Sequence, residues 1–259
     1  MRALVAVLGL SVLLAAFPAR GDEYDETEYR LKTAGIDSAF RERIHGSIRR
    51  GVAFLRKHQQ KDGSFALNAG WTALGGLALR HAVIPRGVEG GRMAIRWLET
   101  RGRKQAIQQT YYAGLTAMLL KADDSGDELQ KAIHAALAIG PIADRTGYWG
   151  FGRAIGGNVP NLSTSQFGCL GLWAGERAGE PIATKTWRRH LEAILDSQES
   201  NGSWSYYPAG SPFVTETSGY PTGTFMGLAD LLLAEEALAD ELRADPELLV
   251  RTRIARSLG

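Results

Sequence analysis

The acidic residue with the clearest chemical potential is Asp230, in "MGLADLLLAEEA". It sits mid-way along an apolar, helix-like run. A carboxyl group buried in such a run holds its proton more tightly and can then donate it as an acid. Asp230 is therefore the single candidate catalytic residue, the alternative being a polar seam between helices. The pair Asp123-Asp124 in "KADDSGDELQ" is expected to be a solvated turn, with Asp124 or Ser125 capping the helix that follows. Cys169 is the only cysteine, so no internal disulfide and no Cys-rich zinc site can form. It reads as a small buried apolar residue. His45, His58, His81, His134 and His190 fall mainly on outer helices or at helix ends, and no metal or other cofactor is expected. There is no Gly-x-Ser-x-Gly, phosphate-loop or His-Glu-x-x-His pattern, and the glycine-rich "GFGRAIGGN" follows no strand.

A second group could recognise a ligand without reacting with it. Trp71, Gln109, Tyr111, Tyr112, Gln166 and Tyr220, with Ser165 and Thr222, occur at the starts of apolar helical segments. If those starts share one end of a helical array, they bring aromatic faces and neutral hydrogen-bonding groups together, as in many ligand sites. Capping and packing at helix ends is the other reading of the same residues.

The elements that would position these groups are helices in pairs. The outer, charged and amphipathic members are expected over Phe40–His58, Gly91–Arg101, Glu128–Ile139 and Lys185–Ser197. The inner members, richer in small and apolar residues, are expected over Trp71–His81, Gln109–Lys121, Thr164–Ala178 and Thr222–Ala237. Period-2 runs of β-branched residues are almost absent, so no strands are expected. Glycine inside a helix costs about 1 kcal/mol against alanine. Its repeated use in the inner helices implies close helix–helix approach.

Two corners punctuate the pairs almost alike, "QQKDGSF" and "SQESNGSW". Gly63-Ser64-Phe65, Gly147-Tyr148-Trp149 and Gly202-Ser203-Trp204 form a recurring Gly-x-aromatic triad, with Gln59 and Gln198 ahead of the first and last. Asp62-Gly63 and Asn201-Gly202 suit a left-handed turn, and the aromatic ring is expected to cover the glutamine amide and pack between helices. A degenerate unit near "WLETRGRKQ" would make the repeat about forty to fifty-five residues long, within the range of helical-pair repeats. Asn161-Leu162-Ser163 and Asn201-Gly202-Ser203 also match the glycosylation sequon.

Arg2 followed by the apolar run Ala3–Phe17 and by Ala19-Arg20-Gly21 reads as an export signal over residues 1–21, cleaved after Gly21. An acidic leader over 22–38 and a helical domain over 39–259 would follow. The run is short for a membrane span and no later one is long enough, so no stable span is expected. The net charge of +2 is too small to argue for a nucleic-acid partner.

Arg50-Gly51, Phe54-Leu55, Gln59, Gly63 and Phe65 resemble the glutamine-tryptophan repeat of squalene and hopene cyclases, with Phe65 where tryptophan is usual. Ile194, Gln198, Gly202 and Trp204 fit the same motif, with Ala193 where an aromatic is expected. "NLSTSQFGCLGLWAGERAG" is similar to exported repeat proteins of the same type. The resemblance, which extends to protein prenyltransferases, implies an all-α fold, an α/α toroid of helical hairpins. About four hairpins are visible, against about six in a full ring, so the ring is incomplete unless a partner, self-association or further chain closes it. "ELRADPELLVRTRIARSLG" reads as a further outer helix. The family's Asp-x-Asp-Asp acid motif is missing, and Phe167 stands where the zinc-binding Asp-x-Cys pair of the prenyltransferases would place aspartate. The resulting expectation is an exported binding protein whose concave face holds an apolar, isoprenoid or extended ligand. The alternatives are an isoprenoid-processing enzyme using Asp230 and a secreted polysaccharide lyase or hydrolase on an α/α toroid.

Overall fold

The computed structural model describes residues 31–82, 84–143, 147–152, 159–208, 211 and 219–258. The expected export signal and most of the acidic leader lie outside the described residues. Residues 31–33 are helical, and Asp37 caps the next helix.

Among the described residues the regular structure is helical, apart from an isolated antiparallel bridge between Gln198 and Trp204. In chain order the helices are α1 (Ser38–His58), α2 (Ala69–His81), α3 (Pro85–Thr100), α4 (Arg103–Gln108), α5 (Thr110–Asp123) and α6 (Asp127–Ala143). They are followed by α7 (Leu162–Glu176), α8 (Thr184–Asp196), α9 (Pro221–Ala237), α10 (Ala239–Ala244) and α11 (Pro246–Leu258). Among the described residues no helix is long and apolar enough to cross a membrane.

Local chemistry sets these boundaries. Asp37, Asn68 and Asn161 each accept a hydrogen bond from the backbone N–H three residues on, closing the first turns of α1, α2 and α7. Pro85 and Pro221 open α3 and α9, where a missing N–H costs nothing. Asn161 is fully buried in this role, its Oδ1 also accepting from the Thr164 hydroxyl, so the sequon there offers no accessible amide. α3 begins before the Gly91 expected from the pattern, because Gly87, Gly90 and Gly91 dilute the helical signal of its first turns. The degenerate unit near "WLETRGRKQ" carries the short helix α4. Among the described residues neither Asp124 nor Ser125 caps α6: Asp124 has a φ of 45° and pairs with Lys121, and the buried Ser125 hydroxyl makes no hydrogen bond.

The chain divides into two compact units, residues 1–103 with 119–126, and residues 104–118 with 127–259. α5 therefore begins in the second unit and ends in the first. In the first unit α2 packs on α3, and Val52, Phe65 and Leu79 form a buried cluster with Leu55, Ala82 and Ile84 beside it. The Asp123 carboxylate is not solvated as expected. It accepts from Nε of buried Arg80 at 3.0 Å, with Arg92 at 3.7 Å. In the second unit α7 packs on α6 and α9, and α8 packs on α6 and α9. Trp149, Trp187, Trp204 and Tyr148 are its largest fully buried side chains. Gly171 of α7 lies so close to Gly114 of α5 that an added Cβ would meet the Gly114 Cα at 2.9 Å. This is the close approach that the glycine content implied.

Candidate functional site

Three features hold the side chains that could act. The first is the pair of glutamine corners. Gln59 Nε2 donates to Gly63 O and to Gly90 O, both at 2.8 Å. Gln198 Nε2 donates to Gly202 O at 2.9 Å and to Ala255 O at 3.0 Å. Gly63 and Gly202 have φ values of 97° and 84°, and an added Cβ would lie 2.2 Å from the carbonyl oxygens of Met93 and Leu258 respectively. Each amide thus ties its own turn to a later helix, α3 or α11. The rings lie against other helices instead: Phe65 packs on Gly75 of α2 and Trp204 on Gly227 of α9. Trp204 Nε1 donates to Ile194 O, and Trp149, on Gly168, donates to Leu137 O, both at 2.9 Å. These residues hold helices together and offer no open chemistry.

The second feature is a tyrosine group in the second unit. The start of α5 places the Tyr111 hydroxyl 2.5 Å from Ser163 Oγ on α7, and its ring packs on Phe167 at 4.8 Å and Phe151 at 5.7 Å between centroids. The segment after the last corner adds Tyr206 and Tyr207, edge to face at 5.0 Å, and the Tyr206 carbonyl accepts from Leu162 N at the start of α7. Burial pushes the Tyr206 phenol up to about 12, with Tyr111, Tyr207 and Tyr220 reinforcing the shift. Burial and then Tyr111 raise Tyr220 as well. At neutral pH the Tyr206 and Tyr220 hydroxyls stay protonated and serve as neutral donors and acceptors. Gln109, Tyr112 and Gln166 are half-buried at the same helix starts. Trp71 belongs to the first unit, where it is 62% exposed. The sequence pattern placed none of Phe151, Ser163, Phe167, Tyr206 and Tyr207 in this group. The "SYYP" run after Trp204 was the visible signal for Tyr206 and Tyr207.

The third feature surrounds Asp230. Its side chain is fully buried on α9, next to fully buried His190 of α8 and Cys169 of α7. The Cys169 sulfur, a His190 ring nitrogen and an Asp230 carboxylate oxygen all lie within 4.8 Å of one another. Burial raises Asp230 above the usual carboxylate range, while the imidazole and then the thiol oppose it. Burial, and then the neighbouring carboxylate, raise the Cys169 thiol. His190 Nδ1 lies 2.8 Å from Gly147 O. Its ring meets those of Trp149 and Tyr148 edge-on, at 4.9 and 5.9 Å between centroids. No side chain in this cluster reaches solvent, so Asp230 does not face bulk substrate as a free acid would.

Comparison of the chain with protein-family models, with curated proteins and with solved structures found no match.

Proposed function

We propose that the protein is an exported binding protein of the α/α-toroid type and that the Tyr111 group holds an apolar, isoprenoid-like ligand. The observation that carries this is the convergence of Tyr111, Tyr206, Tyr207 and Tyr220, with Phe151 and Phe167, at the starts of α5, α7 and α9. Clustered rings supply an apolar face and their hydroxyls orient a small polar end. The toroid reading draws support from the two corners that share one hydrogen-bond pattern, and export from the first 21 residues, which lie outside the described ones. The squalene-cyclase resemblance favours an isoprenoid over other apolar ligands.

Farnesol, a soluble isoprenoid alcohol, is the probe, and a panel of neutral oligosaccharides is the comparison. Thermal melts and tyrosine–tryptophan fluorescence are recorded against each. A ligand at about a hundred times its Kd stabilises the fold by about 2.7 kcal/mol. Farnesol is expected to raise the melting temperature, and Tyr111→Ala to abolish that rise. A rise with oligosaccharide alone would move the reading to the polysaccharide-processing alternative. No response to either would sink it.

A further inference from the structure

The cluster at Asp230 contains more unmet polar capacity than a well-packed core tolerates. His190 Nε2 and both carboxylate oxygens of Asp230 are buried and lack a hydrogen-bond partner among the described residues. Each such atom ordinarily costs free energy, and native interiors keep few of them. Here three converge on one point beside a thiol. His190 Nε2 and Asp230 Oδ2 are 3.4 Å apart, yet they do not form an aligned hydrogen bond. That spacing is close to the roughly 3.4 Å between nitrogen and oxygen ligands of one tetrahedral ion, given bonds of about 2.0–2.2 Å.

We propose that Cys169, His190 and Asp230 form a divalent metal site of the zinc type, binding through the thiolate, Nε2 and a carboxylate oxygen. The tautomer is already selected. Nδ1 faces the Gly147 carbonyl at 2.8 Å, so it carries the hydrogen and leaves the Nε2 lone pair directed at Asp230. Gly147 reaches that place with a φ of 78°, and the Trp149 and Tyr148 rings fix the plane of the imidazole. The Gly-x-aromatic corner at 147–149 is thereby the outer shell of the site. Charge also balances. A thiolate and a carboxylate around a dication make a neutral unit, whereas either anion alone would be costly in this interior. A sulfur, nitrogen and oxygen set suits zinc, while calcium and magnesium take oxygen ligands. The sequence suggested no such site because its ligands come singly from α7, α8 and α9 rather than from a short motif. Complete burial makes metal uptake part of folding. The inference stands on the geometry of the second unit and does not depend on the ligand reading.

The full chain is purified from zinc-supplemented culture and its metal measured by mass spectrometry. About one zinc per chain is expected, falling to background in Cys169→Ala and in Asp230→Asn. Because these variants could misfold, the parent is also refolded with cobalt. Cys169 is the only cysteine, so a thiolate-to-cobalt charge-transfer band in the near ultraviolet reports this residue alone. Refolding in a chelator should lower the melting temperature of the parent and leave Cys169→Ala unchanged. A folded parent that takes up neither zinc nor cobalt overturns the proposal. So does zinc retained by Cys169→Ala.

Discussion

Gln198 reaches across 57 positions of the chain to the carbonyl of Ala255, at 3.0 Å, as Gln59 reaches Gly90 at 2.8 Å. In each case the same amide nitrogen also holds a carbonyl of its own turn, Gly202 or Gly63. Replacing Gln198 with alanine leaves both carbonyls without this donor. The expected cost is about 1–3 kcal/mol, measured as a shift of the urea midpoint. A midpoint equal to that of the parent would mean that the amide does not staple α11 to the corner.

Trp204 is fully buried, lies against Gly227 and donates to Ile194 O. Trp204→Ala should cost about 3–5 kcal/mol, chiefly through the cavity it leaves. Gly202→Ala should also destabilise, by about 1–3 kcal/mol from the left-handed backbone alone. Its Cβ would meet a backbone oxygen, Leu258 O, which cannot rotate away. Thermal melts of both variants test the corner from two directions.

The Arg80–Asp123 pair makes a separate forecast for the first unit. Their side chains are 8% and 11% exposed. Asp123→Ala takes from the buried guanidinium the carboxylate that its Nε donates to, and is expected to cost about 1.5–3 kcal/mol. The double variant Arg80→Met, Asp123→Leu should lose less than the single one. A double-variant loss equal to the sum of the two single losses in a double-mutant cycle would show that the pair is not coupled.

His134 supplies a pH dependence. Burial holds its imidazole below the ordinary range, against the opposing pull of the Gly171 carbonyl. The unfolded chain takes up a proton near pH 6.5, whereas the folded one does so only at lower pH. This contribution to stability is therefore complete above about pH 6.5 and is lost as pH falls through the folded pKa. Urea midpoints at about pH 7.5 and about pH 5.5 should differ less in His134→Gln than in the parent. Gly175→Ala is a steric partner to this test, because its Cβ would sit 0.8 Å from the His134 ring. It should destabilise at both pH values.

Much of the fold was legible because it rests on local rules. Apolar spacing located α1, α2, α5, α7, α8 and α9 to within a few residues, and the Gly-x-aromatic triads marked real corners. Asp245-Pro246 explains why the expected last outer helix is broken into α10 and α11: proline disfavours helical backbone in the residue before it. The helix-start residues were legible only in part. Tyr111 and Tyr220 were found, but Tyr206 and Tyr207 come from a segment with no helical period.

By itself the sequence determined the helical class, the two glutamine corners and the unusual placement of Asp230 in an apolar helix. Those features depend on neighbours within a few positions, where backbone geometry dictates who meets whom. Tertiary structure alone decided the partners: Arg80 for Asp123, Ser163 for Tyr111, and Cys169 with His190 for Asp230. Each partner lies on another helix, and which faces of two helices meet depends on how their side chains interlock along the whole contact. No single spacing in the chain encodes that choice, so the chemistry at Asp230 became visible only once α7, α8 and α9 were packed.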